Sequence, residues 1–294
     1  MAQTREIKGR MKAVANIQRI TKTMQMIATA RFQAAQRAAT ASRPFARKIG
    51  ELVGELVAAL AEEDAVLHPL LRTEHERRGR QLLLVLTSNR GLCGGYNANV
   101  LRTANHYRRV EVEAGRPVDL EMVGKKGAAY FRFAQVPIAQ IHRQFSDKPT
   151  FEQVENLAAR FMNLFSEGSY DVVKIAYMAF ESMGRQHPNI LTLLPLSSPR
   201  TSTDSAAAAT DYEYSPDPKR LLDELLPITV KTRLLQCFNE AVVSEHIARM
   251  VAMKSATDAG ARMSRDLTRK YNRARQAAIT TELGEIIAGA AALE

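Results

Sequence analysis

Residues 81–97 read Gln81-Leu-Leu-Leu-Val-Leu-Thr-Ser-Asn-Arg-Gly-Leu-Cys-Gly-Gly-Tyr-Asn97. Between Gln81 and Thr87 the run is continuously apolar and is bounded by turn residues, as expected of a parallel strand buried on both faces. Gly91, Gly94 and Gly95 then turn the chain, and a helix-like stretch follows from Asn97 to Glu113. Beyond it, Val118 to Val123 reads as strand, Lys125 to Phe133 as helix and Ile138 to His142 as a weak strand. Phe151 to Phe165 then reads as helix, Asp171 to Phe180 as a strong strand, and Ile190 to Leu196 as another. Strands alternating with helices imply crossover connections, so the middle of the chain is expected to be α/β with a mostly parallel sheet.

The ends are different. All eleven prolines fall between Pro44 and Pro227. Proline costs about 3 kcal/mol in a helix interior, so two long proline-free ends around a proline-bearing middle suggest helix, domain, helix. At Pro44 the first helix either kinks or restarts behind Ser42. The segments expected are an N-terminal helix at 1–60, a central α/β domain at 75–200, a surface loop at 201–218 and a C-terminal helix at 219–294. Apolar spacing supports the two helices: Ile7, Met11, Val14 and Ile17 near the start, and Met263, Leu267, Tyr271, Ala274 and Ala278 near the end, step as coiled-coil seams do. Small residues from Ser255 to Ala261 allow close approach but bury little area, at about 25 cal/mol per Å². Such a pair is expected to lean on something outside itself. Helices this long outrun a compact globule of the same chain length, so a rod with a globular part is expected.

The chain has 294 residues, 46% hydrophobic and 24% charged, enough to bury a real core. Its net charge is +10. Residues 1–48 alone hold eleven Lys and Arg (Arg5 through Lys48) against the single acid Glu6. Such a block attracts nucleic acid, anionic lipid or an acidic protein surface, and charge alone does not choose among them. Met1 to Arg10 contains no apolar h-region and no stretch is long enough to span a bilayer, so a soluble or peripheral protein of the cytoplasmic side is expected.

Catalytic chemistry is hard to find. Cys93 and Cys237 are the only cysteines, which leaves no disulfide framework or cysteine-rich zinc module, and both read as small buried thiols. The glycines at 91, 94 and 95 fit neither a Walker loop nor a dinucleotide loop, and the simplest reading is a tight turn. The six histidines show no metal-ligand spacing, and no Gly-x-Ser-x-Gly elbow occurs. No catalytic, cofactor or metal residue is expected.

Specific segments carry a resemblance. Ile20 to Arg31 (Ile-Thr-Lys-Thr-Met-Gln-Met-Ile-Ala-Thr-Ala-Arg), the turn Ser88 to Asn97, Ala248 to Asp258, and above all Ile279 to Ala290, with its Ile-Thr-x-Glu-x-x-Glu-x-x-x-Gly-Ala pattern, resemble the gamma subunit of the F-type ATP synthase. The resemblance implies an antiparallel coiled coil of the terminal helices and a central Rossmann-like α/β domain. It implies a non-catalytic rotor shaft without cofactor, in a ring of three alpha and three beta subunits. Epsilon and the membrane c ring would lie beside the α/β domain, and the complex would be peripheral on the cytoplasmic side of a bacterial plasma membrane. It also implies roles for residues. Met24, Arg249, Arg275, Gln276, Thr280, Glu282 and Glu285 would meet beta or the partner helix. Ile286, Ile287 and Leu293 would form an apolar bearing, and Tyr212 would face the c ring. Where the family usually has Glu-Pro, this chain has Ser215-Pro216.

Two other readings compete. A coiled-coil nucleic-acid binder with an α/β module would explain the basic first helix, yet no aromatic interleaves with those cations before Phe32. A nucleotide-dependent enzyme would use the Gly91 loop, which lacks the phosphate pattern.

Overall fold

The computed structural model describes residues 2–59, 68–71, 79–146, 149–196 and 218–291. The expected loop at 201–218 lies outside them except for Pro218. Contacts divide the chain into two compact units, Arg31–Ala248 and Met1–Ala30 with Arg249–Glu294, and each long helix, α1 (Ala2–Ala59) and α5 (Pro218–Ala291), contributes to both.

In the unit Arg31–Ala248, β1 (Gln81–Leu86), β2 (Val118–Val123), β3 (Gln140–His142), β4 (Val172–Ser182) and β5 (Arg185–Leu194) form one sheet in the order β3-β2-β1-β4-β5. Three pairings are parallel and only β4 with β5 is antiparallel, so the sheet is mostly parallel as expected. Its crossovers are α2 (Tyr96–Glu113), α3 (Lys125–Phe133) and α4 (Phe151–Ser166). The last strand begins at Arg185 rather than Ile190. Ser182 pairs with Arg185 across a two-residue turn, and the polar Arg-Gln-His-Pro-Asn start hides a strand that an edge position tolerates, Pro188 included.

Alternation along β1 explains its unbroken apolar run. Leu82, Leu84 and Leu86 face one core with Val154, Leu157, Phe161 and Phe165 of α4, Ile49, Val53 and Leu56 of α1, and Leu222, Leu226, Val230 and Leu234 of α5. Leu83 and Val85 face the other, with Val100, Leu101 and Ala104 of α2 and Ala128 and Phe131 of α3. Both faces are covered, so neither set of positions can be polar. The lower halves of α1 and α5 therefore belong to the α/β core.

Proline interrupts neither helix. α1 runs unbroken through Pro44, where Thr40 and Pro44 are both exposed, so the carbonyl that loses its donor faces water. Pro218 opens α5 at the first helical position, where a missing N–H costs nothing, and Pro227 lies inside it.

In the other unit, burial on α1 recurs at Ile7, Met11, Val14, Gln18, Thr21, Gln25 and Ala28, and on α5 at Met253, Thr257, Gly260, Ser264, Leu267, Tyr271, Ala274 and Ala278. Steps of four and three alternate throughout, the repeat of a coiled-coil seam. Two expected seam residues are displaced by one. Ile17 is 56% exposed and Gln18 takes its place; Met263 is 55% exposed and Ser264 takes its place. The more apolar neighbour loses because the repeat fixes which side faces the partner. Gln18 lies opposite Gly260, and Thr21 opposite Thr257, so the helices run antiparallel.

One charged group is buried in the sheet. Glu121 of β2 lies on the α4 face at 1% exposure, where Arg160 donates to both its oxygens at 2.9 and 2.7 Å and His142 Nε2 lies 2.7 Å away. Burial pushes its carboxyl up, but the bonds from His142 and then Arg160 together outweigh burial and hold it below the usual carboxylate value. A folded pKa depressed in this way contributes stability above the unfolded carboxylate pKa, and that contribution is lost as pH falls through the folded value. Urea unfolding of the full chain should therefore show stability declining as pH drops below about 4.5. Glu121→Gln should lower stability at pH 7 by about 3–5 kcal/mol, the typical loss when one partner of a buried ion pair is removed, and should flatten the acid decline.

Candidate functional site

The loop after β1 is the position where an open α/β sheet binds nucleotides. Here it is closed by its own side chains. Asn97 Oδ1 accepts from the Ser88 amide at 3.0 Å, while Asn97 Nδ2 donates to Ser88 Oγ at 2.7 Å and lies 3.2 Å from Cys93 Sγ. The first amides of α3, which border this loop from the end of β2, are also taken. Lys125 N donates to Asn89 Oδ1 at 3.3 Å, Lys126 N to the Ser88 carbonyl at 3.2 Å and Gly127 N to Thr87 Oγ1 at 3.0 Å. Gly124, at φ 94°, lets the two loops meet: a Cβ there would lie 2.1 Å from the Thr87 carbonyl oxygen. Gly124 thus serves close packing between the loops, while Gly94, at φ 54°, serves the turn after β1. Cys93, 2% exposed, is a buried part of this turn, and Cys237 is buried too, its thiol pushed up by burial and then by Glu240. Among the described residues no cluster of His, Cys, Asp or Glu could hold a metal.

What remains available is exposed helix. Every described Lys and Arg among residues 1–48 is exposed, because the seam leaves them outside. Beyond Ala278, residues 279–288 of α5 are exposed on all sides. The antiparallel register explains this: with Gln18 opposite Gly260, α1 has no described residue left to cover them. At ~100° per residue, Arg275, Ile279, Glu282 and Ile286 form one stripe, and Gln276, Thr280, Leu283 and Ile287 form the next. Ile286 and Ile287 are 69% and 61% exposed. Thr280 Oγ1 donates back to the Gln276 carbonyl at 3.0 Å, and Glu285 continues the line of Ala274 and Ala278. The helix thus brings Arg275, Gln276, Thr280, Glu282, Glu285, Ile286 and Ile287 onto one free end.

The other expected contact residues lie elsewhere. Met24 is half-buried on α1. Arg249 is 8% exposed and engaged within the chain, which sets it apart from the exposed group; its neighbours His246 and Ile247 are buried as well. Tyr212 and Leu293 lie outside the described residues. A second basic surface escaped the sequence reading. Arg31, Arg90, Lys125 and Arg143 line a cleft of about 820 Å³ over Phe145 and Val242, at the carboxyl ends of β1, β2 and β3. These cations come from four separate segments, and only the sheet order brings them together.

Comparison with known proteins places these features in context. A family model described as ATP synthase matches residues 3–293. The chain is 39% identical over 294 residues to the ATP synthase gamma chain of Leptospira biflexa serovar Patoc, covering all of both chains. It is 40% identical over 299 residues to that of Rhodopirellula baltica, again with full coverage of both. Among solved structures, its fold matches a chain of the Euglena gracilis mitochondrial ATP synthase (OSCP/F1/c-ring, rotational state 3) with a TM-score of 0.66 at 19% identity, covering 99% of this chain and 95% of that one. It also matches a chain of the Tetrahymena thermophila mitochondrial ATP synthase central stalk and c-ring with a TM-score of 0.56 at 18% identity, covering 81% and 99%. None of these is a nucleic-acid binder, and that reading of the basic block is not supported.

The closed loop generates a direct expectation. Calorimetric titration of the purified chain with ATP or NAD should give no saturable heat at micromolar concentration. Micromolar binding that disappears in Asn89→Ala, which alters the amide partners at the start of α3, would contradict the assignment of those donors.

Proposed function

The chain belongs to the ATP synthase gamma chain family, and from that premise we propose that the free end of α5 and the basic face of α1 are the surfaces through which it works. As a gamma chain it is the central rotor shaft of the proton-translocating F-type ATP synthase and is not itself catalytic. It couples rotation of the membrane c ring to conformational change at the catalytic beta subunits, for synthesis or, in reverse, hydrolysis of ATP. The observation that carries this reading is the likeness along the whole chain at 39–40% identity, joined to a site without catalytic chemistry.

The finer assignments are ours. One such chain serves three alpha and three beta subunits, with epsilon and the c ring as its other partners and Tyr212 as a contact residue for the c ring. The complex is held peripherally at the cytoplasmic face of a bacterial plasma membrane; among the described residues no helix is long and apolar enough to cross one. An asymmetric shaft in a threefold ring shifts the equilibria of the sites only if its interaction free energy differs with each beta conformation. Met24, Arg275, Gln276, Thr280, Glu282 and Glu285 supply that difference, and Ile286, Ile287 and Leu293 form an apolar bearing. Arg249, held inside the chain, acts by positioning α5 rather than by exposed contact.

Arg275 is the sharpest test. It is exposed, one step round from seam residue Ala274, and its planar guanidinium can fork onto a carboxylate or carbonyl of one beta subunit and lose that contact as the shaft turns. A charge-assisted bond contributes about 1.5–3 kcal/mol, so Arg275→Ala should slow ATP hydrolysis and ATP-driven proton pumping roughly tenfold to a hundredfold while the complex stays assembled. Arg275→Lys should recover only part. Rates are compared on reconstituted complexes of matched subunit content, where wild-type turnover in the alanine variant would remove Arg275 from the coupling surface.

A further inference from the structure

We propose that the Thr21–Thr257 hydroxyl pair is a register pin of the shaft, fixing α1 against α5 along their common axis so that torque on one helix reaches the other. The proposal rests on the rotor-shaft reading for its consequence and on the seam geometry for its substance.

The seam around this pair is poor in the side chains that ordinarily fix a register. Gln18, Thr21 and Gln25 of α1 lie in the same stretch of seam as Met253, Thr257 and Gly260 of α5, where Met253 and the half-buried Met24 are the large apolar side chains. Knobs of this size leave shallow holes, and neighbouring registers then differ little in buried apolar area. The helices approach closely: a Cβ on Gly260 would lie 3.4 Å from Gln18 Cβ. Into this small-residue zone the chain places two hydroxyls, Thr21 at 8% exposure, with their oxygens 2.8 Å apart. One residue of axial slide is ~1.5 Å, which is enough to break such a bond. Polar residues at the core positions of a coiled coil are a known way of selecting one register from many.

Two hydroxyl protons serve three contacts here, because Thr21 Oγ1 also lies 3.0 Å from the Gln18 carbonyl and Thr257 Oγ1 2.8 Å from the Met253 carbonyl. Thr21 donates to Thr257 while Thr257 donates to Met253, or Thr257 donates to Thr21 while Thr21 donates to Gln18, and either arrangement carries the cross-helix bond. If each hydroxyl donated to its own helix instead, two oxygens would face each other without a proton between them, and their 2.8 Å separation favours the bonded arrangements. Removing one hydroxyl leaves the other donating to its own backbone carbonyl, so a valine at either position should spare the fold while releasing the register.

The test uses the assembled complex carrying Gln18→Cys and Gly260→Cys. The Cβ separation here is close to the ~3.8 Å of a disulfide, so the pair should cross-link readily under copper–phenanthroline in the native register. Adding Thr21→Val and Thr257→Val should lower the cross-link yield at fixed oxidation time by roughly two- to tenfold, the effect of one ordinary hydrogen bond on a register equilibrium. Protons pumped per ATP hydrolysed should fall with it, while hydrolysis itself persists. Closing the disulfide in the double-valine background should restore the pumping ratio, and reductant should abolish it again. Thr21→Ser with Thr257→Ser should behave as wild type. Unchanged cross-linking and pumping in the double valine would overturn the proposal, as would a pumping loss that the disulfide fails to repair. If the double valine does not assemble, Thr257→Val alone gives the same two readings. Failure of the wild-type chain to copurify with an ATP-hydrolysing ring would sink the shaft reading instead, and the intrachain cross-link yield would still report on the pin.

Discussion

The sheet has a central strand with no side to leave in water. Leu82, Leu84 and Leu86 on one face of β1, and Leu83 and Val85 on the other, are buried almost completely, so each face needs a cover. Helices α2 and α3 close one side. On the other, α4 alone does not suffice, and the lower halves of α1 and α5 complete the core with Ile49, Val53, Leu56, Leu222, Leu226 and Val230. At about 25 cal/mol per Å², this burial is a strong reason for both long helices to be ordered at all. The same demand accounts for the loop after β1. With the sheet sealed on both faces, the amides at the carboxyl ends of β1 and β2 are turned on one another through Thr87, Asn89 and Asn97, and Gly124 allows the contact.

Each long helix thus solves two packing problems with one continuous backbone. In Arg31–Ala248 the buried positions are mostly large and meet a sheet. In the other unit they meet a single partner helix, and Ala, Thr, Gly, Ser and Gln share the seam there with Ile7, Met11, Val14, Met253, Leu267 and Tyr271. A two-helix seam of small residues is only marginally stable, and the hydroxyl and amide groups within it supply direction rather than strength.

Much of this was legible in the sequence. The span of β2 and α3 followed from alternation and turn residues to the residue, and β1 and α4 to within one, because local pattern and tertiary need agree there. Where they disagree, reading failed. Ile17 and Met263 look like seam residues by hydropathy and are exposed, because a strict 3.5-residue repeat prefers Gln18 and Ser264 in the gap. At Pro44 the expected kink or restart does not occur, since Pro44 sits where water can take the orphaned carbonyl, while Pro218 opens α5 where no donor is needed. Glu121 gave no signal at all. Its partners His142 and Arg160 come from separate elements, and only the pairing of β2 with β3 and the packing of α4 bring them together. The burial of Arg249 was equally hidden, since a basic residue on a helix carries no sign of it in the sequence.

The exposed end of α5 mixes apolar and polar residues along each of its stripes. A purely apolar stripe would adhere to one beta conformation and hold it, which is useful for a bearing and fatal for a rotor. A purely charged stripe in water would distinguish conformations weakly, since exposed ion pairs contribute only about 0–1 kcal/mol. Arg275, Ile279, Glu282 and Ile286 interleave the two kinds along one line, and Gln276, Thr280, Leu283 and Ile287 do so along the next. Apolar neighbours exclude water where a partner closes over the stripe, which raises the worth of the polar contact beside them towards the 1.5–3 kcal/mol of a charge-assisted bond. In the proposed role, turning the shaft opens the contact, water returns and that advantage is lost. The same residues would then bind firmly in one orientation and weakly in the next, and a difference between orientations, rather than the strength of any one contact, is what a shaft needs to drive a cycle of conformations.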